Sequence, residues 1–286
     1  MANSRLKYLI ITPSCNEEKL LPNLIQSIVN QTILPCEWII VDDGSTDNTS
    51  NIIKKASLKY RWIRYVRNEK KDKRSPGSSV IKAFYKGYEN RKINNYDIVI
   101  KLDSDLSLPV DYFEKIINKM ISDPDIGICG GVCTVNGKVE GLTNLDHVRG
   151  AIKAYRKKCF TSIGGLVQSM GWDTVDEHNA RYLGWKVCVI DSLKVEHHRK
   201  TNYEFGFFNA AYKNGKMLYT IRMGFILLVI NCVKWAFRFP YFLLSFYVFY
   251  GFIISFIFNE KKIVSKDLCK FIRNYIYKKM KEKILG

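Results

Sequence analysis

Short apolar runs alternate with amphipathic segments through the first half of the chain. The runs at 8–12, 37–41, 63–66 and 98–102 have the length and composition of buried β-strands. In the segments between them, apolar residues return every three or four positions, as on one face of an α-helix. This alternation predicts an α/β fold with a mostly parallel, Rossmann-like central sheet and helices on both of its faces.

The pattern changes further along the chain. From residue 126 onward the periods are shorter and glycine is frequent, which predicts a more mixed second half of the sheet. Residues 239–258 are twenty positions without a charge, which as a helix reach ~30 Å, enough to cross a bilayer core. A shorter apolar run at 223–233 precedes them, and a strongly basic segment follows from Lys261.

We therefore predict two domains, a catalytic domain over residues 1–215 and a membrane-associating helical hairpin with a basic amphipathic tail over residues 216–286. Lys and Arg prefer the cytoplasmic side of a membrane, and here they flank the apolar runs on both sides. A re-entrant or in-plane (monotopic) hairpin keeps both clusters against anionic headgroups, whereas a single span separates them. The alternative is a pair of core helices in a soluble domain.

Charge and cysteine content narrow the partners and the compartment. With 45 Lys and Arg against 27 Asp and Glu, the net charge is +18, which favours nucleic acid, acidic lipid or phosphorylated substrates as partners. The eight cysteines form no Cys-x-x-Cys pair, which favours reduced thiols in a cytosolic compartment. The first apolar run is too short for a signal peptide, so we expect the catalytic face in the cytoplasm.

Polar loops follow three of the predicted strands. They read Pro13-Ser14-Cys15-Asn16-Glu17-Glu18, Asp42-Asp43-Gly44-Ser45-Thr46-Asp47 and Asp103-Ser104-Asp105. The carboxyl ends of parallel strands meet at one sheet edge, where open α/β folds bind ligands. Carboxylates gathered there need a cation, and Asp103 with Asp105 suits a Mg²⁺ or Mn²⁺ ion that also holds phosphate. The alternative is a helix N-cap at Asp105 or Ser107.

Together these three motifs resemble the successive signatures of the family 2 glycosyltransferases, over about residues 7–200. The resemblance is to the bacterial, membrane-associated, surface-polysaccharide type, and it implies the GT-A fold and inversion of the anomeric centre. It implies that Asp43 contacts the nucleobase, that Asp103 lies near the ribose or the metal, and that Asp105 binds the metal. The implied nucleotide-sugar pocket comprises Pro13, Asn16, Glu17, Asp42, Asp43, Asp103 and Ser104, with Arg74 near the donor phosphates. The alternative for Arg74 is a solvated place in the basic run 70–74.

Inverting transfer needs a base that takes the proton of the acceptor hydroxyl. In the family this base is an aspartate, often in a Glu-Asp pair, that starts a helix ending at a glycine. Counting back from Gly184 puts Asp173 in that position, although Trp172 stands where the family often has Glu. Asp173 could equally be a helix cap, and Asp176 and Glu177 are the alternative bases.

Residues 165 and 197–199 add further candidates. Gly165 resembles the loop that shapes the acceptor pocket, with an ordinary turn as the alternative. His197 or His198 could act as a third metal ligand, although a lone histidine is more often structural. Arg199 could bind the phosphate of the leaving group or of a lipid.

We expect an inverting glycosyltransferase that moves a sugar from a nucleotide-sugar to a hydroxyl of a membrane-associated, polyprenyl-linked acceptor in glycan or polysaccharide biosynthesis. The expected cofactor is Mg²⁺ or Mn²⁺, the expected location is the cytoplasmic face of a bacterial membrane with its anionic surface, and no nucleic acid is expected as a partner. Two other classes stay open. A nucleotidyltransferase would need a basic glycine-rich loop where residues 13–18 are acidic, and a non-catalytic nucleic-acid-binding protein would explain the charge.

Overall fold

The computed structural model describes residues 6–69, 77–140, 146–199 and 206–285. The strands are β1 (Tyr8–Ser14), β2 (Glu37–Asp42), β3 (Ile63–Arg67), β4 (Ile98–Leu102), β5 (Leu106–Ser107), β6 (Ile126–Val135), β7 (Lys138–Val139), β8 (Ile152–Arg156) and β9 (Lys186–His197). The helices are α1 (Leu21–Val29), α2 (Thr49–Lys59), α3 (Ser78–Glu89), α4 (Tyr112–Ser122), α5 (Lys157–Ser162), α6 (Trp172–Tyr182), α7 (Phe207–Thr220), α8 (Gly224–Ala236), α9 (Phe242–Ile257) and α10 (Lys266–Leu285).

The strands form one mixed sheet in the order β3-β2-β1-β4-β8-β6-β9-β5, with β7 paired to β6. Strands β1 to β4 are mutually parallel, and β6 is parallel to β9. Strand β8 is antiparallel to both β4 and β6, and β5 is antiparallel to β9. The sheet as a whole is therefore mixed rather than mostly parallel: the predicted parallel arrangement holds for β1 to β4, and the second half is mixed, as the pattern from residue 126 predicts. The antiparallel direction of β8 was not predicted, because β8 is as buried as β4 and burial alone does not reveal strand direction.

Helices cover both faces of the parallel half, as predicted. Side chains alternate between the faces of a strand, so Tyr8 and Ile11 of β1 point to opposite sides. The ring of Tyr8 lies 4.8 Å from that of Phe113 on α4. On the other face, α3 lies so close that a Cβ on Gly87 would stand 2.7 Å from Val41 Cγ2 and 2.8 Å from Ile11 Cγ2. Helices α4 and α3 thus cover the two faces of the sheet here. Ligands of open α/β sheets bind at the carboxyl ends of the strands, which here are the ends of β1, β2 and β4.

The backbone contacts divide the chain into two compact units. One comprises Met1–Gln168 and Trp172–Lys200, and the other comprises Ser169–Gly171 and Thr201–Gly286. Helix α7 lies wholly in the second unit, so the division falls before α7, whereas the predicted boundary after residue 215 falls inside it.

The second unit consists of helices α7 to α10. Helices α7 and α9 approach to backbone contact at two glycines. A Cβ on Gly215 would stand 1.9 Å from Val248 O, and one on Gly251 would stand 2.1 Å from Tyr212 O. The apolar run at 239–258 contains α9, which has 16 residues and begins at Phe242. Within the described ranges, no helix combines the length and the apolar character that crossing a membrane requires.

Candidate active site

The loops that follow β1 and β2 are bonded to each other. Asn16 adopts a left-handed backbone with φ of 58°. Its backbone N–H donates to Ser45 Oγ at 3.0 Å, and its side-chain Oδ1 accepts the N–H of Thr46 at 2.9 Å. The N–H of Glu17 donates to Thr49 Oγ1 at 2.7 Å. Parallel pairing of β1 with β2 thus brings the first two predicted motifs together.

Asp42 holds the second loop in shape. The carboxylate is buried; Oδ1 accepts the Ser45 N–H at 2.8 Å, and Oδ2 accepts hydrogen bonds from Ser50 and Arg67. Burial raises the pKa of Asp42, but the hydrogen bonds from Ser50, Ser45 and Arg67 outweigh it and keep this pKa below its ordinary value. Both carboxylate oxygens therefore have partners within the fold.

Asp43 continues from Asp42 at the end of the strand. Its N–H donates to Ser14 O at 2.8 Å, and its Oδ1 accepts Asn68 Nδ2 at 2.7 Å. Pro13 lies in register with Val41 on the adjacent strand. Pro13 and Asp43 therefore lie at the same sheet edge, and their contact with a nucleotide stays a prediction.

The third motif follows β4, beside β1. Asp103 accepts a hydrogen bond from the buried Lys101, and its N–H donates to Ala151 O at 2.9 Å. Asp105 is nearly buried, and its Oδ2 accepts Arg199 Nε at 3.1 Å. The second nitrogen group of Arg199 donates to Glu17. One guanidinium therefore connects the loop after β1 with the loop after β4.

Glu17 is buried beside this guanidinium. Burial raises the pKa of Glu17 to about 7 even though Arg199 acts in the opposite direction, and the negative charges of Asp105 and Asp103 add to the rise. The pKa of Asp105 is lowered, because hydrogen bonds and charges from His197 and Arg199 outweigh the effect of its burial. The two carboxylates thus share one permanent cation and differ in how readily they ionise.

The two neighbouring histidines differ in direction at the end of β9, where His197 is the last residue of the strand and His198 follows it. His197 Nε2 lies 3.4 Å from Asp105 Oδ2, and its Nδ1 lies 2.8 Å from Glu140 Oε2. Burial alone would lower the pKa of His197, but hydrogen bonds and charges from Asp105 and Glu140 raise it to about 9. His198 contacts Ser107 Oγ at 2.8 Å instead. The structure thus brings the imidazole of His197, and not that of His198, to the Asp105 carboxylate, while the backbone N–H of His198 donates to Asp105 O at 3.0 Å.

The candidate base lies at the start of α6. The Asp173 side chain is partly exposed, and a Cβ on Gly150 would stand 3.1 Å from its Oδ2. The buried Lys153 donates to the backbone oxygen of Asp173. Because residues 150–153 also contact Asp103 through Ala151, Asp173 is placed on the same side of the sheet as the third motif.

The two alternative bases are buried one turn further along α6. Asp176 Oδ1 lies 2.8 Å from Lys153 Nζ, and its Oδ2 accepts the hydroxyl of Tyr155. Glu177 lies 3.0 Å from the same Nζ. Burial raises the pKa of Asp176 to about 6, whereas the charge of Lys153 and the bond to His147 outweigh burial at Glu177 and lower its pKa to about 2.

The sequence profile of the family described as Glycosyl transferase family 2 matches residues 9–179, a range that holds all three loops and Asp173. The chain belongs to this family. The glycosyltransferase is similar to 4,4'-diaponeurosporenoate glycosyltransferase of Staphylococcus haemolyticus, with 32% identity over 99 residues, or 35% of this chain and 24% of that protein. It is also similar to UDP-N-acetylglucosamine--dolichyl-phosphate N-acetylglucosaminyltransferase of Methanococcus voltae, with 30% identity over 129 residues, or 42% of this chain and 49% of that protein. The chain thus spans about a quarter to a half of these two relatives.

Solved structures of glycosyltransferases share the fold. A mannosyltransferase from Pyrobaculum calidifontis, in complex with GDP-Man and Mn²⁺, superposes with a TM-score of 0.60 at 15% identity, over 91% of this chain and 89% of that one. Residues 1–349 of S. aureus TarS superpose with a TM-score of 0.55 at 16% identity, over 88% and 72%. These likenesses confirm the predicted GT-A fold. Family membership sets aside the two alternative classes considered from the sequence.

A divalent metal has suitable ligands in this glycosyltransferase. Within the described ranges, no group of three or more His, Cys, Asp or Glu residues is arranged around a metal position. Asp105 and His197 nevertheless bring an oxygen and a nitrogen within 3.4 Å of each other, and Asp103 follows the same strand. Two carboxylates and an imidazole fit an ion that takes its other ligands from water and phosphate.

The predicted residue Gly165 belongs to a loop that packs against α3. Gly165 has φ of 77°, which favours glycine, and a Cβ there would stand 2.3 Å from Tyr85 Oη. The Tyr85 hydroxyl also accepts the N–H of Leu166 at 2.6 Å, so the loop is fixed against α3. Arg74 lies outside the described residues.

The sequence did not single out four residues that organise these clusters. Lys101 and Lys153 are neighbours in register on β4 and β8 and are both buried. Glu140 lies 3.0 Å from Arg149 and 2.8 Å from His197. A lysine within an otherwise apolar strand is a readable signal, because a buried ammonium needs a carboxylate partner. The positions of Glu140 and Arg149 carry no comparable signal.

Proposed function

We propose that this glycosyltransferase transfers a sugar, with inversion, from a nucleotide-sugar to a hydroxyl of a lipid-linked acceptor at the cytoplasmic face of a bacterial membrane. One observation carries the proposal: the contacts Asn16–Ser45 and Glu17–Arg199–Asp105 join the three loops, and the segment of Gly150 and Ala151 contacts both Asp103 and Asp173. A donor pocket and a base are therefore adjacent, as transfer requires.

The donor end of this pocket takes the nucleotide. Asp43 and Pro13 lie at the edge where β1 and β2 end, and Asn16, Glu17, Asp42 and Ser104 belong to the same connected loops. Asp42, whose oxygens already have partners, acts by holding the loop rather than by direct contact. Carboxylates such as Asp43 accept hydrogen bonds from ribose hydroxyls and base N–H groups. The relatives that carry UDP or GDP sugars in their names support a donor of this class.

Asp105, Asp103 and His197 would hold Mg²⁺ or Mn²⁺, which would supply positive charge to the departing diphosphate. Two solved glycosyltransferases of this fold were crystallised with Mn²⁺. The probe is Mn²⁺ titrated calorimetrically into the full chain with UDP or GDP present. Asp105→Asn should abolish the metal-dependent heat, whereas Asp111→Asn, which removes an exposed carboxylate paired with Lys115, should not. Equal Mn²⁺ affinity in all three proteins would exclude Asp105 as a ligand.

Asp173 serves as the base. It is the partly exposed carboxylate of the α6 group, whereas Asp176 and Glu177 are buried and paired with Lys153. Asp173→Asn should keep nucleotide binding and lower transfer by roughly 10²–10⁴. Asp176→Asn is the matched control and should lower transfer far less at equal folded fraction. If Asp176→Asn is the more damaging change, the base lies one turn later than proposed.

We infer a membrane-bound acceptor because α8 and α9 each expose an apolar stripe, which supports a location of this protein at a membrane. On α8 the exposed residues Ile226, Val229 and Val233 follow at intervals of three and four, with Phe225 beside Ile226. On α9 they are Phe242, Leu243, Phe246, Phe249, Tyr250, Phe256 and Ile257. The opposite face of α9 is buried against α7 through Leu244 and Val248. A helix in water exposes polar residues at such positions, so these stripes require an apolar environment.

The turn between α8 and α9 combines aromatic and basic side chains. Phe237, Phe239 and Phe242 are 78%, 73% and 76% exposed, and Lys234 and Arg238 are exposed in the same segment. The helices themselves are short, since the 16 residues of α9 reach about 24 Å against ~30 Å for a bilayer core. Aromatic residues with basic neighbours favour the interface, where anionic headgroups meet acyl chains. This supports a hairpin that enters one leaflet.

Vesicle flotation of the full chain tests this location. Vesicles of phosphatidylcholine with phosphatidylglycerol should carry the protein, and Phe237→Ser with Phe242→Ser should release it. Leu58→Ser removes an exposed apolar residue of α2 in the first unit and should leave flotation unchanged. High salt should weaken binding only partly, because it screens the basic residues but not apolar burial. Flotation that survives the double variant would contradict the proposed surface.

A further inference from the structure

His147 lies between the proposed base and a buried carboxylate. Its Nδ1 is 3.1 Å from Glu177 Oε2, and its Nε2 is 3.9 Å from Asp173 Oδ2. About a quarter of the His147 side chain is exposed, whereas Glu177 is buried. The ring thus faces one carboxylate with each nitrogen, and one edge reaches water.

Glu177 determines which nitrogen of His147 carries hydrogen. Its Oε1 accepts the N–H of Val148 at 2.8 Å and lies 3.0 Å from Lys153 Nζ. Burial raises the pKa of Glu177, but the charge of Lys153 together with the bond and charge of His147 outweighs it and lowers this pKa to about 2, so Glu177 is ionised. An ionised carboxylate only accepts hydrogen bonds, so Nδ1 of His147 donates. In the neutral ring, Nε2 is then left with its lone pair directed to the side of Asp173.

We propose that His147 is a positioning residue that holds Asp173 in line for proton abstraction and then takes the proton from it; this rests on the proposed role of Asp173 as the base. During transfer the acceptor oxygen bonds to the anomeric carbon, and the bond from that carbon to the diphosphate oxygen breaks. The acceptor proton moves to Asp173 Oδ2 and then to His147 Nε2, and water takes it from that nitrogen because the side chain is partly exposed. A side-chain shift of about 1 Å closes the gap to hydrogen-bond length.

The charges around His147 suit a ring that gains and loses a proton. Helix α6 presents Asp173 and Glu177 to it, and Arg181 lies 3.6 Å from Glu177 Oε2. Strand β8 contributes Lys153, which is bonded to the same group of carboxylates. The ring therefore faces negative charge from Glu177 and Asp173 and positive charge from Lys153 and Arg181.

Two amide replacements each keep a hydrogen-bonding group near one ring nitrogen and remove the ability of the side chain to carry a proton. His147→Asn keeps an amide N–H close to the place of Nδ1 and so keeps a donor for Glu177, but it removes the nitrogen that faces Asp173. His147→Gln instead places an amide near Nε2. The donor is chosen from UDP-glucose, UDP-N-acetylglucosamine and GDP-mannose by release of nucleoside diphosphate. Both variants should keep UDP or GDP affinity and thermal stability while kcat falls roughly 10-fold to 100-fold, less than in Asp173→Asn.

Imidazole added to His147→Ala provides a readout that a structural role does not move. Activity should return in proportion to added imidazole, and only in the pH range in which imidazole is unprotonated. Unchanged kcat in His147→Asn overturns the inference, as does a loss that follows the folded fraction and resists imidazole. If Asp173→Asn itself retains full activity, the base assignment fails, which is a result distinct from either outcome at His147.

Discussion

Replacement of Lys153 by Met is expected to be the most destabilising change near the site. The ammonium is fully buried, 2.8 Å from Asp176 and 3.0 Å from Glu177, and it also donates to the backbone oxygen of Asp173. Its charge stands 5.6 Å from the centre of the Trp172 ring. Methionine fills a similar volume, so the variant removes the charge and leaves little cavity. Two buried carboxylates then share a site without their cation.

Breaking a buried ion pair by removing one partner typically costs about 3–5 kcal/mol, because an uncompensated charge stays behind. We expect the free energy of unfolding to fall by about this amount in Lys153→Met. Lys153 lowers the pKa of Asp176, which burial raises to about 6, so its removal should raise this pKa further; protonation of Asp176 relieves the repulsion, and the loss should be smaller at acidic than at alkaline pH. Urea unfolding followed by tryptophan fluorescence at several pH values measures both effects.

Two further variants make this expectation refutable. Lys115→Met removes an exposed partner of Asp111, 2.7 Å away, and should change stability by less than about 1 kcal/mol. Lys153→Met with Asp176→Asn removes a negative charge as well and should be more stable than Lys153→Met alone. If Lys153→Met costs no more than Lys115→Met, or if the double variant is less stable than the single one, the burial argument is wrong.

Two other changes have directions that the structure fixes. Gly215→Ala should destabilise the helical unit, because its Cβ would stand 1.9 Å from Val248 O. Limited proteolysis within residues 206–285 should become faster, and an unchanged cleavage rate would contradict the close packing. Burial lowers the pKa of His178 from 6.5 to about 4. As the pH falls through this range, the unfolded chain binds a proton that the folded chain does not, so the free energy of unfolding should fall by up to about 3 kcal/mol. His178→Asn should flatten that part of the stability profile, and an unaltered profile would refute it.

The sequence predicts the parallel half of the fold well, because the apolar runs there have the length of buried strands and the segments between them have the apolar period of helices. The predicted strands at 37–41 and 98–102 correspond to β2 and β4. Strand β8 shows the limit of this approach. Its direction depends on where the chain re-enters the sheet after residues 146–151, and no local pattern encodes that. The division before α7 was missed for a similar reason, since α7 is amphipathic like the helices of the first unit.

In the site, likewise, motifs identify a set of candidate residues, and the packing of the fold distinguishes among them. The sequence named Asp173, Asp176 and Glu177 as alternatives because they share one short helical segment. Only burial distinguishes them, and burial follows from Lys153, which reaches α6 from β8. The choice between His197 and His198 depends likewise on the pairing of His197 with Leu106, which fixes the side that each ring faces.

The pairing of charges also explains why Asp173 can act as a base. The other carboxylates of the site form ion pairs with a lysine or an arginine. Asp103 pairs with Lys101, and Asp105 and Glu17 both pair with Arg199. Asp176 and Glu177 both pair with Lys153. Within the described part of the chain, the side chain that pairs with the Asp173 carboxylate is His147, at 3.9 Å, which carries charge only when protonated, and the charge of Lys153 also acts on Asp173. A carboxylate held by a permanent cation gains little from binding a proton, because it loses that attraction. A carboxylate beside a neutral imidazole can accept a proton and pass it on, so among these groups the charge pattern favours Asp173 for proton transfer.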